Sequence, residues 1–342
     1  MALVIILFII GLILIIKGGD VFVDASIWIS EISGIPKAII GATVVSFATT
    51  LPEMIVSFFA AAQGSVDMAI GNAVGSVTAN LGLILGIAIV CLGMTIRRKD
   101  YLLKTVLMIG ASIVIVISGF SGELGIIPSI FLMIIFIIAM IENIRGARKH
   151  KLNGQDFLNE SIEDSMDGVI DDYETNEPEI EGKLSINRKD LIANITKFIL
   201  GAVGIILGAQ LLVDNGSELA RIFGVPERII GVTIIAVGTS LPEFVTTITA
   251  IVKKEGALSI GNILGANIID LTLILPICAL ISGQALPISP QSAAIDLPAC
   301  LIIAVLSLIP TLIFKKFYRI QGVLVLACYV IYLLITTGFI AF

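Results

Sequence analysis

Two glutamates are set into apolar surroundings with the same neighbours. Glu53 ends the run GATVVSFATTLPE that starts at Gly41, and Glu243 ends GVTIIAVGTSLPE, which starts at Gly231. Each carboxylate directly follows a proline and a pair of hydroxyl residues, Thr49 and Thr50 in the first run, Thr239 and Ser240 in the second. On a helix, residues four apart share a face, so Thr49 stands over Glu53 and Thr239 over Glu243. Pro52 has no N–H and its ring clashes one turn back, which leaves the carbonyl of Ala48 without its helical partner; Pro242 does the same to the carbonyl of Gly238. Each run therefore offers a carboxylate, hydroxyls and freed carbonyls. Such an all-oxygen set suits hard cations such as Ca2+ and Na+ rather than thiophilic metals. Further along, Ser76 and Asn80 are again four apart, and Asp270 adds a third acid.

The elements that must carry these residues are membrane helices. The chain is 57% hydrophobic and only 14% charged, and its mean hydropathy is +1.07. Apolar runs of roughly 20 residues, enough to cross a bilayer core, recur throughout. We count ten, near 2–26, 36–62, 69–95, 101–120, 125–146, 191–219, 227–252, 257–282, 293–314 and 320–341. The first lacks a basic leader and a small-residue cleavage site, so it reads as a retained helix rather than a signal peptide. At membrane depth, ionisable side chains and unpaired carbonyls are costly and are kept where they line an ion or substrate path. The net charge of −6 comes mostly from one loop, and no basic stripe suits nucleic acid. The single histidine, His150, and the absence of CxxC spacing among Cys91, Cys278, Cys300 and Cys328 argue against zinc. Neither a cofactor nor enzymatic chemistry is expected.

The two halves align without a gap at the spacing that separates Glu53 from Glu243. Gly18 then matches Gly208, Asp24 matches Asp214, Pro36 matches Pro226, and GNAVGSVTAN (Gly71 to Asn80) matches GNILGANIID (Gly261 to Asp270). The second span thus corresponds to the seventh, and an odd number of crossings reverses direction. The fold expected is an all-α integral membrane protein of about ten transmembrane helices, built as two inverted-topology five-helix repeats. They occupy residues 1–148 and 191–342 and flank an acidic loop at 149–190. Lysines and arginines cluster at Arg97 to Lys104, Arg145 to Lys151, Lys253 and Lys254, and Lys315 to Arg319. The positive-inside bias puts those connections and the acidic loop in the cytoplasm and both termini outside, in a multi-pass protein of the cell membrane. Thr43 and Thr233 read as hydroxyls bonded to their own backbone, and Asp20, Asp24 and Asp214 as interfacial residues rather than ligands.

TTLPE (Thr49 to Glu53) and GTSLPE (Gly238 to Glu243), with GNAVGS and GNILGAN downstream, resemble the alpha repeats of the sodium/calcium exchanger family, within the calcium/cation antiporter superfamily. That resemblance implies exchange of Ca2+ for Na+ by alternating access, with helices 1 and 6 sliding. It implies ligands on helices 2, 3, 7 and 8. Glu53 and Glu243 would be calcium-ligating carboxylates, with backbone and hydroxyl oxygens from Thr49 and Thr239. Ser46 and Ala236 would give carbonyls to flanking sodium sites, and Thr50 and Ser240 would line the same region. Asn80 and Asp270 would complete a central site, and Ser76 would help to coordinate sodium. One departure stands out: the partner of Ser76 is Ala266, which has no hydroxyl, so the coupling ion stays open among Na+, H+ and K+.

Other readings of the same residues are a cation channel and an intramembrane hydrolase. Duplicated inverted motifs favour alternating access over the first. Glutamates beside prolines, without HExxH, disfavour the second. Within the acidic loop, Glu163, Ser165, Asp167, Gly168, Asp171 and Glu174 fall at positions 1, 3, 5, 6, 9 and 12 of a calcium-loop template. The alternative there is a solvated, disordered connection, which the charge of the segment favours.

Overall fold

The computed structural model describes residues 1–92, 98–166, 188–224 and 238–338. Nearly all of them are helical. We number the helices α1 (Ala2–Ser33), α2 (Lys37–Thr49), α3 (Leu51–Ala62), α4 (Val66–Cys91), α5 (Arg98–Ser121) and α6 (Ile126–Met166). The second half holds α7 (Arg188–Ile222), α8 (Leu241–Val252), α9 (Gly256–Ser282), α10 (Ser292–Phe314) and α11 (Arg319–Thr336). Eight of these are long and apolar enough to cross a membrane, and α2 with α3 makes a ninth span bent by 48°. The remaining expected span, 227–252, is represented by α8; the stretch before it lies outside the described residues. A two-residue antiparallel bridge, Glu123–Leu124 with Leu286–Pro287, ties the turn before α6 to the turn before α10.

The bend between α2 and α3 falls where the proline argument puts it. Thr50 sits at φ −83°, ψ −1°, between the last helical turn of α2 and Pro52. In the second half Ser240, before Pro242, has nearly the same dihedrals, φ −87° and ψ 8°. The correspondence extends to the interior of the long helices. α4 opens into a π-helical turn at Asn80–Ile84, and α9 does so at Asp270–Ile274. Such a turn adds a residue to the helical repeat and re-aims the side chains on it, and it recurs at functional sites. Here it lies at Asn80 and Asp270 themselves.

Burial ranks the helices. In α4 and α9 respectively 72% and 78% of the apolar window is inside the protein, against 22% in α1 and 17% in α7. The two motif-bearing helices therefore form the centre, while α1 and α7 pack on each other at the side and turn Leu3, Ile6, Ile13, Leu200, Val203 and Leu207 outwards. Their contact is made by glycine. A Cβ on Gly18 would lie 2.8 Å from the backbone nitrogen of Ile205, and one on Gly208 would lie 2.6 Å from that of Ile15. Without a hydrophobic drive between helices in lipid, such close backbone approach is what holds a pair together.

One expectation is revised. The apolar run ending near 146 continues as helix to Met166, well into the segment read as loop. Residues 147–166 contain no proline to stop the helix. Glu163 and Ser165 thus lie on helical backbone, whereas Asp167, Asp171 and Glu174 lie outside the described residues. The calcium-loop reading of that segment gains nothing from the fold.

The glycine contact yields a test. Gly208→Val should force α1 from α7 and destabilise the protein by about 1–3 kcal/mol, the usual cost of overpacking. Thermal unfolding in detergent should show a lower midpoint for Gly208→Val and an unchanged one for Leu207→Val, whose side chain faces outwards.

Candidate functional site

The bend between α2 and α3, the start of α8 and the π-helical turns meet in the centre. Gly265 on α9 allows this: a Cβ there would sit 2.6 Å from Ser46 Oγ and 2.7 Å from Ala42 Cα, so α9 lies directly on α2. Gly41 and Gly261 press equally close, Gly41 on the carbonyl of Leu258 and Gly261 on that of Ala38. The approach carries the second half's polar side chains onto the first half's LPE motif.

Glu53, Glu243 and Asp270 are each 1% exposed. Glu53 stands within electrostatic reach of both other acids, and Asp270 of Glu243. None of the three forms an ion pair with a described cation. Thr50 Oγ1 donates to Glu243 Oε1 at 3.2 Å, a direct bond between the two motifs. Thr49 Oγ1 lies 3.3 Å from the Ser46 carbonyl and 3.3 Å from Asn262 Oδ1. Asn80 Nδ2 donates to Asn267 Oδ1 at 3.0 Å, again between halves. What remains is a set of buried oxygens with no hydrogen-bond partner: both of Glu53, Oε2 of Glu243, both of Asp270, Oδ1 of Asn80, and the hydroxyls of Ser76 and Ser240.

A buried carboxylate without a partner is among the costliest groups a protein can contain. Five unpartnered carboxylate oxygens, two each from Glu53 and Asp270 and one from Glu243, beside unpartnered hydroxyl and amide oxygens suit cations as counterparts. Among the described residues, no three His, Cys, Asp or Glu side chains gather tightly enough to hold a metal alone. Neutral oxygens must complete any coordination shell here, which is how hard cations that take six or more ligands are held.

Most of the expected site residues are buried, and Thr50 and Glu243 are in direct contact. Ser46, Thr49, Thr50, Glu53, Ser76 and Asn80 of the first half and Ser240, Glu243 and Asp270 of the second are all buried. Thr239 is partly buried, and Ala236 lies outside the described residues, as does Thr233. Thr43 bonds the Ile39 carbonyl of its own helix, as its type suggests. Asp24 and Asp20 lie away from the centre, 2.7 and 3.9 Å from Lys253 Nζ, and Asp214 is exposed.

Three asparagines that the motif reading did not single out belong to the same network. Asn72 Nδ2 donates to the Glu53 carbonyl at 3.2 Å and to Ser57 Oγ at 2.9 Å, steadying the helix that carries the carboxylate. Asn262 and Asn267 have no exposed surface and reach across to Thr49 and Asn80. The signal was present: an amide inside an apolar span is as unusual as a carboxylate, but it carries no charge to draw the eye.

Residues 3–144 and 194–338 match the family model for the sodium/calcium exchanger protein. An uncharacterized membrane protein of Methanocaldococcus jannaschii is 31% identical over 333 residues, 95% of either chain. The sodium/calcium exchanger MaX1 of Methanosarcina acetivorans is 27% identical over 342 residues, 95% of this chain and 96% of that one. Among solved structures, the sodium-calcium exchanger NCX_Mj soaked with 10 mM Na+ and zero Ca2+ superposes with a TM-score of 0.75 at 27% identity, covering 96% of this chain and 97% of that one. With both halves of the chain matched and the acidic centre placed between them, the chain belongs to the sodium/calcium exchanger family.

Proposed function

We propose that the protein exchanges Ca2+ for Na+ across a membrane by alternating access, with the central acids as the shared binding site. The observation that carries this reading is the trio of Glu53, Glu243 and Asp270, each 1% exposed and without a cationic partner, contributed by both halves of the chain. Glu53 and Glu243 hold the divalent cation. Thr49 and Thr239 supply backbone and hydroxyl oxygens, while Asn80 and Asp270 complete the central site. Ser46, Ala236, Ser76, Thr50 and Ser240 line the flanking sodium sites. Ca2+ and several Na+ compete for one cavity, so one load leaves before the other enters.

Charge explains why exchange prevails over leak. A cavity with several uncompensated carboxylates is expensive to carry through a low-dielectric core. Neutralised by Ca2+ or by Na+, the same cavity can move. Each ion shifts the equilibrium between inward- and outward-open forms only by binding them unequally. The inverted repeat gives both forms a similar energy. Its support is the matched break at Thr50 and Ser240, the matched π-helical turns at Asn80 and Asp270, and the four helices between the motifs. The glycine-packed pair α1 and α7, largely lipid-facing, is the element suited to slide past the centre. Positive-inside charge places both termini outside and the segment after α6 in the cytoplasm.

Transport in proteoliposomes tests the reading. An imposed Na+ gradient should drive uptake of ⁴⁵Ca2+, and K+ or H+ gradients of the same size should not. Uptake that follows pH and ignores Na+ would replace sodium by protons as the coupling ion. Glu53→Gln and Glu243→Gln should each lower calcium transport roughly 100-fold, since removing one partner of a buried charged contact costs about 3 kcal/mol or more. Orientation has its own check: in a Cys91→Ser background, the Ser165→Cys protein should react with an impermeant maleimide only from the cytoplasmic side.

A further inference from the structure

The hydrogen bond between Asn80 and Asn267 breaks the symmetry of the site in an instructive way. At the spacing that relates the halves, Asn80 corresponds to Asp270 and Asn267 corresponds to Val77. The contact between Asn80 and Asn267 therefore has, as its image, the relation of Asp270 to Val77. The element Val66–Ala79 packs on the turn Asp270–Ile274, just as Gly256–Ile269 packs on Asn80–Ile84. Where the site presents an amide, the opposite half supplies an amide to meet it. Where the site presents a carboxylate, the opposite half supplies a valine.

An amide and a carboxylate differ in one property that matters to a cation. A carboxylate offers oxygen whichever way it turns, whereas an asparagine can offer either oxygen or an NH2 that repels positive charge. For Asn80 to serve as a ligand, its NH2 must be occupied elsewhere. Asn267 Oδ1 accepts from Asn80 Nδ2 at 3.0 Å, and Asn80 Oδ1 is left buried and without a partner. Asn262 Oδ1 likewise stands 3.3 Å from the Thr49 hydroxyl, which it shares with the Ser46 carbonyl as an acceptor. Asn262 and Asn267 have no exposed surface, so neither amide can exchange its partner in the other half for water.

We propose that Asn267 is a positioning residue for the cation site: it takes up the NH2 of Asn80 and so turns the Asn80 oxygen towards the bound ion. Asp270 needs no such residue, which is why Val77 suffices at the matching place. The inference rests on the reading of Asn80 as a cation ligand given above.

A double-mutant cycle read out as Ca2+ half-saturation of the full-length protein tests it. Binding of ⁴⁵Ca2+ to detergent-solubilised protein and Na+-driven uptake in proteoliposomes are measured together, with the thermal midpoint as a check on folding. Asn267→Val should raise the half-saturation about tenfold, the scale of one hydrogen bond to a charged site. Asn80→Asp should abolish that sensitivity, because a carboxylate has no NH2 to be taken up. The double variant Asn80→Asp with Asn267→Val gives both halves the same acid and valine pair, and should bind as well as Asn80→Asp alone. The proposal is overturned if Asn267→Val leaves half-saturation unchanged, or weakens binding as much in the Asn80→Asp background as in the native one. A merely structural role for Asn267 predicts that second result. Asn267→Ala serves in place of valine if the bulkier side chain prevents folding. A failure of the ligand reading itself registers separately, as an Asn80→Ala protein whose half-saturation equals that of the native chain, and would overturn both.

Discussion

The structure turns on the cost of placing Glu53, Glu243 and Asp270 together inside a membrane protein. Nothing else in the chain would justify that cost, and much of the chain serves to make it bearable. Pro52 follows the break after α2 and Pro242 opens α8, so that each glutamate lies in the first turn of a helix, where the partial positive end of the helix dipole favours an anion. The π-helical turns at Asn80 and Asp270 aim a third acid and an amide at the same place. Glycines at 41, 261 and 265 bring the backbones close enough for the polar side chains of both halves to touch. The oxygens that remain unpartnered define a place for cations.

Burial is divided unequally among the helices. α4 and α9, which carry Ser76, Asn80 and Asp270, are the most enclosed of the spans and make a fixed floor under the site. α1 and α7 are far less enclosed, are joined to each other through glycine, and reach the centre where Ile15, Phe22 and Val23 pack with Ile40, Val45 and Leu258. At the rim, α1 is tied to the turn after α8 by Asp24 and Lys253, 2.7 Å apart and partly exposed. Exposed pairs of this kind contribute little, on the order of 1 kcal/mol or less.

The halves are related but not identical, and the differences are chemical rather than architectural. Ser76 faces Ala266 across the repeat, Asn80 faces Asp270, and Val77 faces Asn267. The first exchange removes a hydroxyl, the second adds a charge, and the third supplies an amide only where the site itself uses one. The repeated motifs give a similar local backbone twice. Substitutions at a few positions can then make the two faces of the site unequal, which is the condition for ions of different charge to be handled by one cavity.

The linear order of residues determined a good deal of this on its own. Hydropathy fixes where helices run, proline chemistry fixes where two of them break, and the duplicated carboxylates beside hydroxyls identify an oxygen site for hard cations. These are local properties, carried by neighbours in the chain. Other features depended on contacts between distant segments. That Thr50 bonds Glu243, that Asn72 steadies Glu53, and that Asn262 and Asn267 cross from one half to the other follow from which helix faces meet. A neutral amide has no periodic or electrostatic signature along the chain, so its role was hidden until packing placed it. The helix from Ile126 to Met166 shows the converse limit: a polar composition was read as loop, yet a segment without proline can continue a helix past its apolar run. Charge and hydropathy report where a segment prefers to lie, and only the assembled helices decide which of its atoms face the ion.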